Sequence, residues 1–311
     1  MQFIKTYILT GFLGAGKTTL LNHLLDNVKE QLNYIIENEF GKISIDGTLV
    51  TKNYEELFEL NNGCICCSLD GELIAVLANL SQAEKKPDNL FIEASGVADA
   101  GQLAGIFMRQ DVSETFHLQQ VICMVDAENV EDRLEEVPEL YRQLVAADLI
   151  LINKTDLVQP AYVQNLKHLL AGINPFAQIT RSTFGKFDLE LLNERSDFNF
   201  IKALVQDETG ASNVHGMKSI AIAVEKTYEK SQLYVMLSMS VFLQSDQIYR
   251  IKGYVKLEGE PYPVLVQSTG SNISFKNLTE NDPVPPLVLV FIGRGLKREV
   301  LEKLLAQDTT V

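Results

Sequence analysis

Three shortages in this 311-residue chain each close off a class of protein. No apolar run is long enough to cross a bilayer, so a membrane partner is not expected. Basic residues are scarce: 27 Lys and Arg stand against 41 Asp and Glu, for a net charge of −14. A phosphate backbone needs compensating cations, so nucleic acid is not an expected partner either. The carboxylate surplus instead suits a protein that handles cations. Sulfur and imidazole are also sparse, with four Cys and four His in all. His23, His117, His168 and His215 are scattered, whereas Cys64, Cys66 and Cys67 crowd together. That clustering is not a disulfide framework; in a reducing, cytoplasmic setting it reads as metal or redox chemistry. Cys123 lies inside an apolar run and reads as a small buried hydrophobe.

What the chain does have begins at residue 3. Residues 3–10 are rich in β-branched and aromatic side chains and read as a buried strand. The apolar stretch 7–13 is read as part of that strand rather than as a leader, because it runs straight into a glycine loop. The loop, Gly11-Phe12-Leu13-Gly14-Ala15-Gly16-Lys17-Thr18-Thr19, fits G-x-x-x-x-G-K-[ST] without a mismatch. Leu20, Leu21, Leu24, Leu25 and Val28 follow at helical spacing. Strand, glycine loop and helix cradle phosphate through backbone N–H groups and the helix N-terminus. Gly11, Gly14, Ala15, Gly16 and Thr19 line the expected cradle, Lys17 is expected to reach the β- and γ-phosphates, and Thr18 to ligate Mg²⁺.

Further candidates fall in order along the chain. Residues 33–37 read as a second strand that opens into a polar, glycine-punctuated loop. Glu37, Glu39 and Asp46 are its candidate ligands for Mg²⁺ or a transition metal, with a solvated acidic loop as the plainer alternative. Cys64, Cys66 and Cys67 offer soft ligands for Zn²⁺, Cu(I) or Co²⁺. Three thiols leave one position of a tetrahedral shell open, as a carrier that releases its metal requires. Redox-active thiols on a nucleotide-switched, client-binding module are the rival reading. Residues 89–93 are a strand ending at Glu93, and Gly96 follows three positions later, the place for a second Mg²⁺ contact and a γ-phosphate-sensing N–H. Residues 148–152 are another strand, capped by Asn153-Lys154-Thr155-Asp156. The Asp156 carboxylate can accept both N1–H and N2–H of guanine, a pair adenine does not offer, while Asn153 braces the loop and Lys154 packs along the base. Asp156 therefore argues for GTP and against an ATP-dependent kinase.

Helices are read at 70–84, 135–146 and 160–171, and strands at 118–126 and near 177–180, with a last base-contacting loop at 180–185. The alternation predicts an α/β P-loop NTPase domain with a mostly parallel sheet over 1–193. Residues 194–216 read as a linker, and 217–311 as a small α+β domain with a largely antiparallel sheet. In that domain Arg250 and Lys252, on one face of a strand, read as solvated edge charges, with an anion contact as the alternative, and Val300, Leu304 and Leu305 as the inward face of a closing helix.

With these residues in hand, the chain resembles the CobW-like metallochaperone GTPases of the SIMIBI P-loop class. Residues 11–19 resemble the family's phosphate loop, and Asn38-Glu39-Phe40-Gly41 with Asp46 its switch segment. Gly63-Cys64-Ile65-Cys66-Cys67 is similar to its C-x-C-C motif, Glu93-Ala94-Ser95-Gly96 to its second phosphate motif, and residues 153–156 to its guanine motif. Arg250-Ile251-Lys252-Gly253 and Phe291-Ile292-Gly293 are similar to its C-terminal domain. The resemblance implies slow GTP hydrolysis coupled to binding a transition metal such as zinc or cobalt and delivering it to a client metalloprotein, with a homodimer as a further expectation. Many members carry a histidine-rich tract; this chain has none.

Overall fold

The computed structural model describes residues 3–37, 54, 56–59, 69–192, 213–214, 216–243, 247–269 and 272–306. Glu39, Asp46, Cys64, Cys66 and Cys67, and most of the expected linker, lie outside the described residues. Backbone contacts divide the chain into two compact units: Met1–His168 with Ala177–Glu194, and Leu169–Phe176 with Arg195–Val311. Among the described residues, no helix is long and apolar enough to cross a membrane.

The first unit is built on seven strands: β1 (Ile4–Gly11), β2 (Asn33–Glu37), β3 (Glu56–Glu59), β4 (Asn89–Glu93), β5 (Phe116–Asp126), β6 (Leu149–Asn153) and β7 (Gln178–Arg181). Their order across the sheet is β3-β2-β4-β1-β5-β6-β7, and every pairing is parallel. All five residues are buried in each of β2, β4 and β6, as a sheet covered on both faces requires. The alternation of side chains sorts neighbouring residues into two cores. Ile8, Ile36 and Ile92 pack with Leu73 and Leu77 of α2 (Leu69–Gln82), after Leu9, Ile35 and Phe91 have turned the other way onto Leu20, Leu21, Leu24 and Leu25 of α1 (Lys17–Asn27). The α/β P-loop architecture expected from the sequence is the one observed.

Two stretches depart from the sequence reading. Residues 97–117 carry no helix signal, yet α3 (Ala100–Ile106) and α4 (Gln110–Ser113) lie there. Four of the seven α3 residues are glycine or alanine, and its stability comes from elsewhere: Asp99 accepts from Gly101 N and Gln102 N as an N-cap, and every residue but Gln102 is buried. The single helix expected at 135–146 is two, α5 (Val130–Glu136) and α6 (Pro138–Ala146). Pro138 has no N–H to continue the first helix and a φ suited to starting the second. The helix α7 (Pro160–Ile173) precedes β7.

The second unit has strands β8 (Asn213–Val214), β9 (Met217–Ala223), β10 (Thr227–Tyr228), β11 (Ile248–Leu257), β12 (Val264–Thr269), β13 (Asn272–Asn277) and β14 (Val288–Arg294). The order is β13-β12-β11-β14-β9-β8, all antiparallel, with β10 alongside β11 in parallel. Helices α8 (Lys230–Leu243) and α9 (Arg298–Ala306) place Leu233, Leu237, Val241, Leu301 and Leu305 in one core with Ile251, Val255, Val266 and Phe291. Two expectations are corrected. Arg250 and Lys252 are buried, because β11 is an interior strand between β12 and β14. Val300 points outward, and Leu301 takes its place, since the helix begins at Arg298 and its inward stripe runs through 301 and 305.

Candidate functional site

The C-terminal ends of β1, β2, β4, β5 and β6 share one rim of the parallel sheet, where a doubly wound fold places its ligand. The glycine loop leaves β1 there. Gly16 caps α1 in the left-handed region at φ 105°, and a Cβ on it would stand 2.5 Å from Asn153 Nδ2. Only glycine leaves room for that neighbour. Lys17 is buried and folds back over the loop, donating from Nζ to the carbonyls of Gly11 at 3.0 Å and Phe12 at 3.5 Å. Thr18 donates its hydroxyl to Glu93 Oε1 at 3.0 Å. Glu37 is the register partner of Glu93 on the adjacent strand, so both carboxylates lie on one face at the strand ends, and both are buried.

Asn153 joins the loop to the expected guanine motif. Its Nδ2 donates to Ala15 O at 2.9 Å across 138 positions of sequence. Its Oδ1 accepts from Ser182 Oγ and Gly185 N, each at 3.2 Å, which brings in the 180–185 loop. Thr155 fastens the same two loops, donating to Ser182 O at 3.0 Å with its hydroxyl 3.0 Å from that of Thr183. Lys154 takes a left-handed φ of 59° and leads into the single turn Thr155–Leu157, which leaves Asp156 exposed. Phe184, also left-handed at φ 52°, is exposed nearby in sequence to Gly185.

One participant was missed in the sequence. Asp126 ends β5, and its Oδ2 lies 2.8 Å from Lys154 Nζ and 3.0 Å from Asn129 Nδ2. Burial pushes this carboxyl up, but the hydrogen bonds from Lys154, Asn129 and the Glu128 N–H outweigh it and hold it below the usual carboxylate range. An acidic residue closing a strand at the ligand rim was the signal. Cys123, three residues earlier, is fully buried, and burial pushes its thiol up to about 12 against the opposing charge of Lys17. It stays a thiol at neutral pH, a small buried hydrophobe in β5. Among the described residues, no three His, Cys, Asp or Glu side chains gather as a metal site.

Residues 5–181 match the family described as CobW/HypB/UreG, nucleotide-binding domain, and residues 217–307 match the cobalamin synthesis protein cobW C-terminal domain. The chain belongs to the CobW family of GTPases. The zinc chaperone YjiA of Escherichia coli K12 is 32% identical over 309 residues, covering 96% of each chain. The zinc chaperone CobW of Pseudomonas aeruginosa is 28% identical over 332 residues, covering 94% of this chain and 88% of its own. The crystal structure of Zn(II)-bound YjiA GTPase from E. coli superposes with a TM-score of 0.68 at 28% identity, over 98% of this chain and 99% of that one. Membership of the CobW family accounts for a phosphate loop and an Asn-Lys-Thr-Asp segment converging on one rim.

Proposed function

We propose that this chain is a GTP-gated metal carrier that takes up a transition-metal ion, zinc foremost and cobalt as the alternative, and hands it to a client metalloprotein. The observation that carries the nucleotide half is the hydrogen bond from Asn153 to Ala15, which fixes the base-reading segment to the phosphate loop. In this reading Gly11, Gly14, Ala15, Gly16, Lys17, Thr18 and Thr19 hold the phosphates, and Asn153, Lys154 and Asp156 hold guanine. Lys17 already spans the loop and needs only to swing from two carbonyls to phosphate oxygens. Asp126 keeps the Lys154 ammonium at the loop's edge, so that its stem can lie along the base.

The all-oxygen donor set of Thr18, Glu93 and Glu37 fits Mg²⁺, a hard cation that prefers carboxylates and hydroxyls. Bound there, Mg²⁺ supplies charge neutralisation to the β- and γ-phosphate oxygens. Glu93 orients the Thr18 hydroxyl. Gly96, three residues beyond the strand, offers its backbone N–H to the γ-phosphate.

The cargo half rests on the spacing of Cys64, Cys66 and Cys67, assisted by Glu37 and Asp46, and is supported by the naming of the relatives YjiA and CobW as zinc chaperones. Bound GTP orders residues 38–47 and the thiols of residues 64–67 into one metal site, and hydrolysis relaxes that loop. The same reading sets the protein in the cytoplasm, where clustered thiols stay reduced, and a homodimer completes the proposal, to be read from the mass of the nucleotide-bound protein in solution. The deciding measurement is Zn²⁺ and Co²⁺ affinity with a non-hydrolysable GTP analogue and with GDP. Tighter metal binding with the analogue is expected; equal affinities end the gating idea, because a ligand with no preference between states shifts nothing. Metal lost on dialysis under reducing conditions would instead favour redox-active thiols.

A further inference from the structure

The segment that carries Gly96 is held from behind by α6. Gln143, fully buried in that helix, donates from Nε2 to Gly96 O at 3.0 Å and to Ala98 O at 3.2 Å. One side-chain amide thus clamps both ends of a three-residue turn. The preceding residue, Arg142, lies 3.5 Å from Asp99, the N-cap of α3, so two successive α6 side chains hold the segment from Gly96 to the start of α3. In front, the segment presses on the phosphate loop. A Cβ on Gly96 would stand 2.7 Å from Leu13 N and from the Leu13 side chain. Gly96 therefore sits between the loop that is expected to hold phosphate and an amide that fixes its carbonyl.

A buried glutamine on an otherwise apolar helix face needs a reason. Its neighbours Leu140, Tyr141, Leu144 and Val145 are all buried, and an apolar residue would fill the space at lower desolvation cost. Its Oε1 is buried with no hydrogen-bond partner among the described residues, so the amide is half satisfied. What the position gains is control over the peptide planes around Gly96. The Gly96 carbonyl shares its peptide plane with the Val97 N–H, so gripping that oxygen fixes the plane that leaves Gly96 and, with the grip on Ala98, the place where the turn stands.

We propose that Gln143 is a positioning residue for the γ-phosphate response: by gripping the Gly96 and Ala98 carbonyls it holds the turn that begins at Gly96 in the place from which the Gly96 N–H meets the terminal phosphate of GTP. This rests on the reading of the rim as a GTP site with Gly96 as its sensor. It acts through the backbone and touches no nucleotide. Removing the two donors disturbs recognition of the third phosphate while the β-phosphate cradle of residues 11–19 is left alone.

The test compares the parent protein with Gln143→Met, which keeps length and loses both donors. Affinities for a non-hydrolysable GTP analogue and for GDP are measured by titration calorimetry, together with kcat and KM for GTP. The expected result is a roughly tenfold loss of analogue affinity, the scale of one or two hydrogen bonds, with GDP affinity within about twofold of the parent and kcat falling more than KM rises. Gln143→Leu also lacks both donors, suits the apolar neighbours of the site, and serves if the methionine variant is too unstable to measure; it is expected to lose as much. An unchanged analogue-to-GDP ratio overturns the proposal. So does an equal fall for both nucleotides, which is the mark of a merely structural residue. A parent that does not distinguish analogue from GDP sinks the sensor reading of Gly96 first, and the role of Gln143 with it.

Discussion

Both units bury charged side chains in a sheet, but in different places. In the first, Glu37 and Glu93 are the last residues of adjacent parallel strands, and Glu93 accepts from Thr18 at the start of α1. In the second, Arg250 and Lys252 lie inside the interior strand β11, two positions apart and so on one face, with the Phe176 ring of the same unit 5.9 and 5.5 Å from their charged ends. A charge at a strand end opens onto loops that can bring it a ligand. A charge in mid-strand has only its packed neighbours to answer it, and an aromatic face is one such answer. In the proposed function the first pair is accordingly assigned to chemistry, and the second pair is assigned to the integrity of its unit.

Variants in each unit test that division. Lys17→Ala is expected to have the largest effect, a loss of GTP affinity of about a hundredfold or more from removing a charge-assisted phosphate contact, read by titration calorimetry, with the circular dichroism spectrum unchanged. Asn153→Ala strands Ala15 O and Gly185 N inside the protein; it is expected to lower the stability of the first unit by about 1–3 kcal/mol and to weaken GTP more than tenfold. Arg250→Ala removes the stem and the ring contact in the second unit. It is expected to cost about 1–3 kcal/mol in thermal or urea unfolding, while GTP turnover stays within twofold. If turnover falls along with stability, the two pairs of charges are not separate in purpose, and the contrast fails.

The smallest expected effect concerns His23 on α1. Burial lowers its pKa from the ordinary value, Lys186 lowers it further, and Asp26 opposes them. Its Nε2 is buried with no hydrogen-bond partner among the described residues, and the ring meets Phe187 edge-on at 6.3 Å. Folding thus favours the neutral ring. Below the unfolded pKa of about 6.5 the unfolded chain holds the extra proton, so stability falls as pH drops towards the folded value. His23→Leu is expected to flatten that slope between pH 7 and pH 5, measured as the change in melting temperature. A slope as steep as the parent's would assign the pH dependence elsewhere.

Much of the rim was legible in the sequence because its chemistry is local. Residues 11–19, Glu93 with Gly96, and residues 153–156 each follow a strand, and a parallel sheet sends all such ends to the same side. Less legible were features whose cause lies far away in the chain. The α3 helix has weak propensity and exists through burial and the Asp99 cap. Arg250 and Lys252 looked like edge charges because strand order cannot be read from one strand. Gln143 gave a faint signal, a polar residue among Leu140, Tyr141, Leu144 and Val145, but nothing in the sequence pointed it at Gly96.

The order of residues by itself determined the strand, glycine loop and helix at the N-terminus, and the change from a parallel sheet in the N-terminal part to an antiparallel one in the C-terminal part, since each follows from backbone preference and side-chain chemistry over a few positions. Packing in three dimensions decided that Asn153 fastens to Ala15, that Asp126 restrains Lys154, and that Gln143 stands behind Gly96. Those contacts span 28 to 138 positions, and only burial in a shared core sets which distant groups meet and which must find hydrogen bonds there.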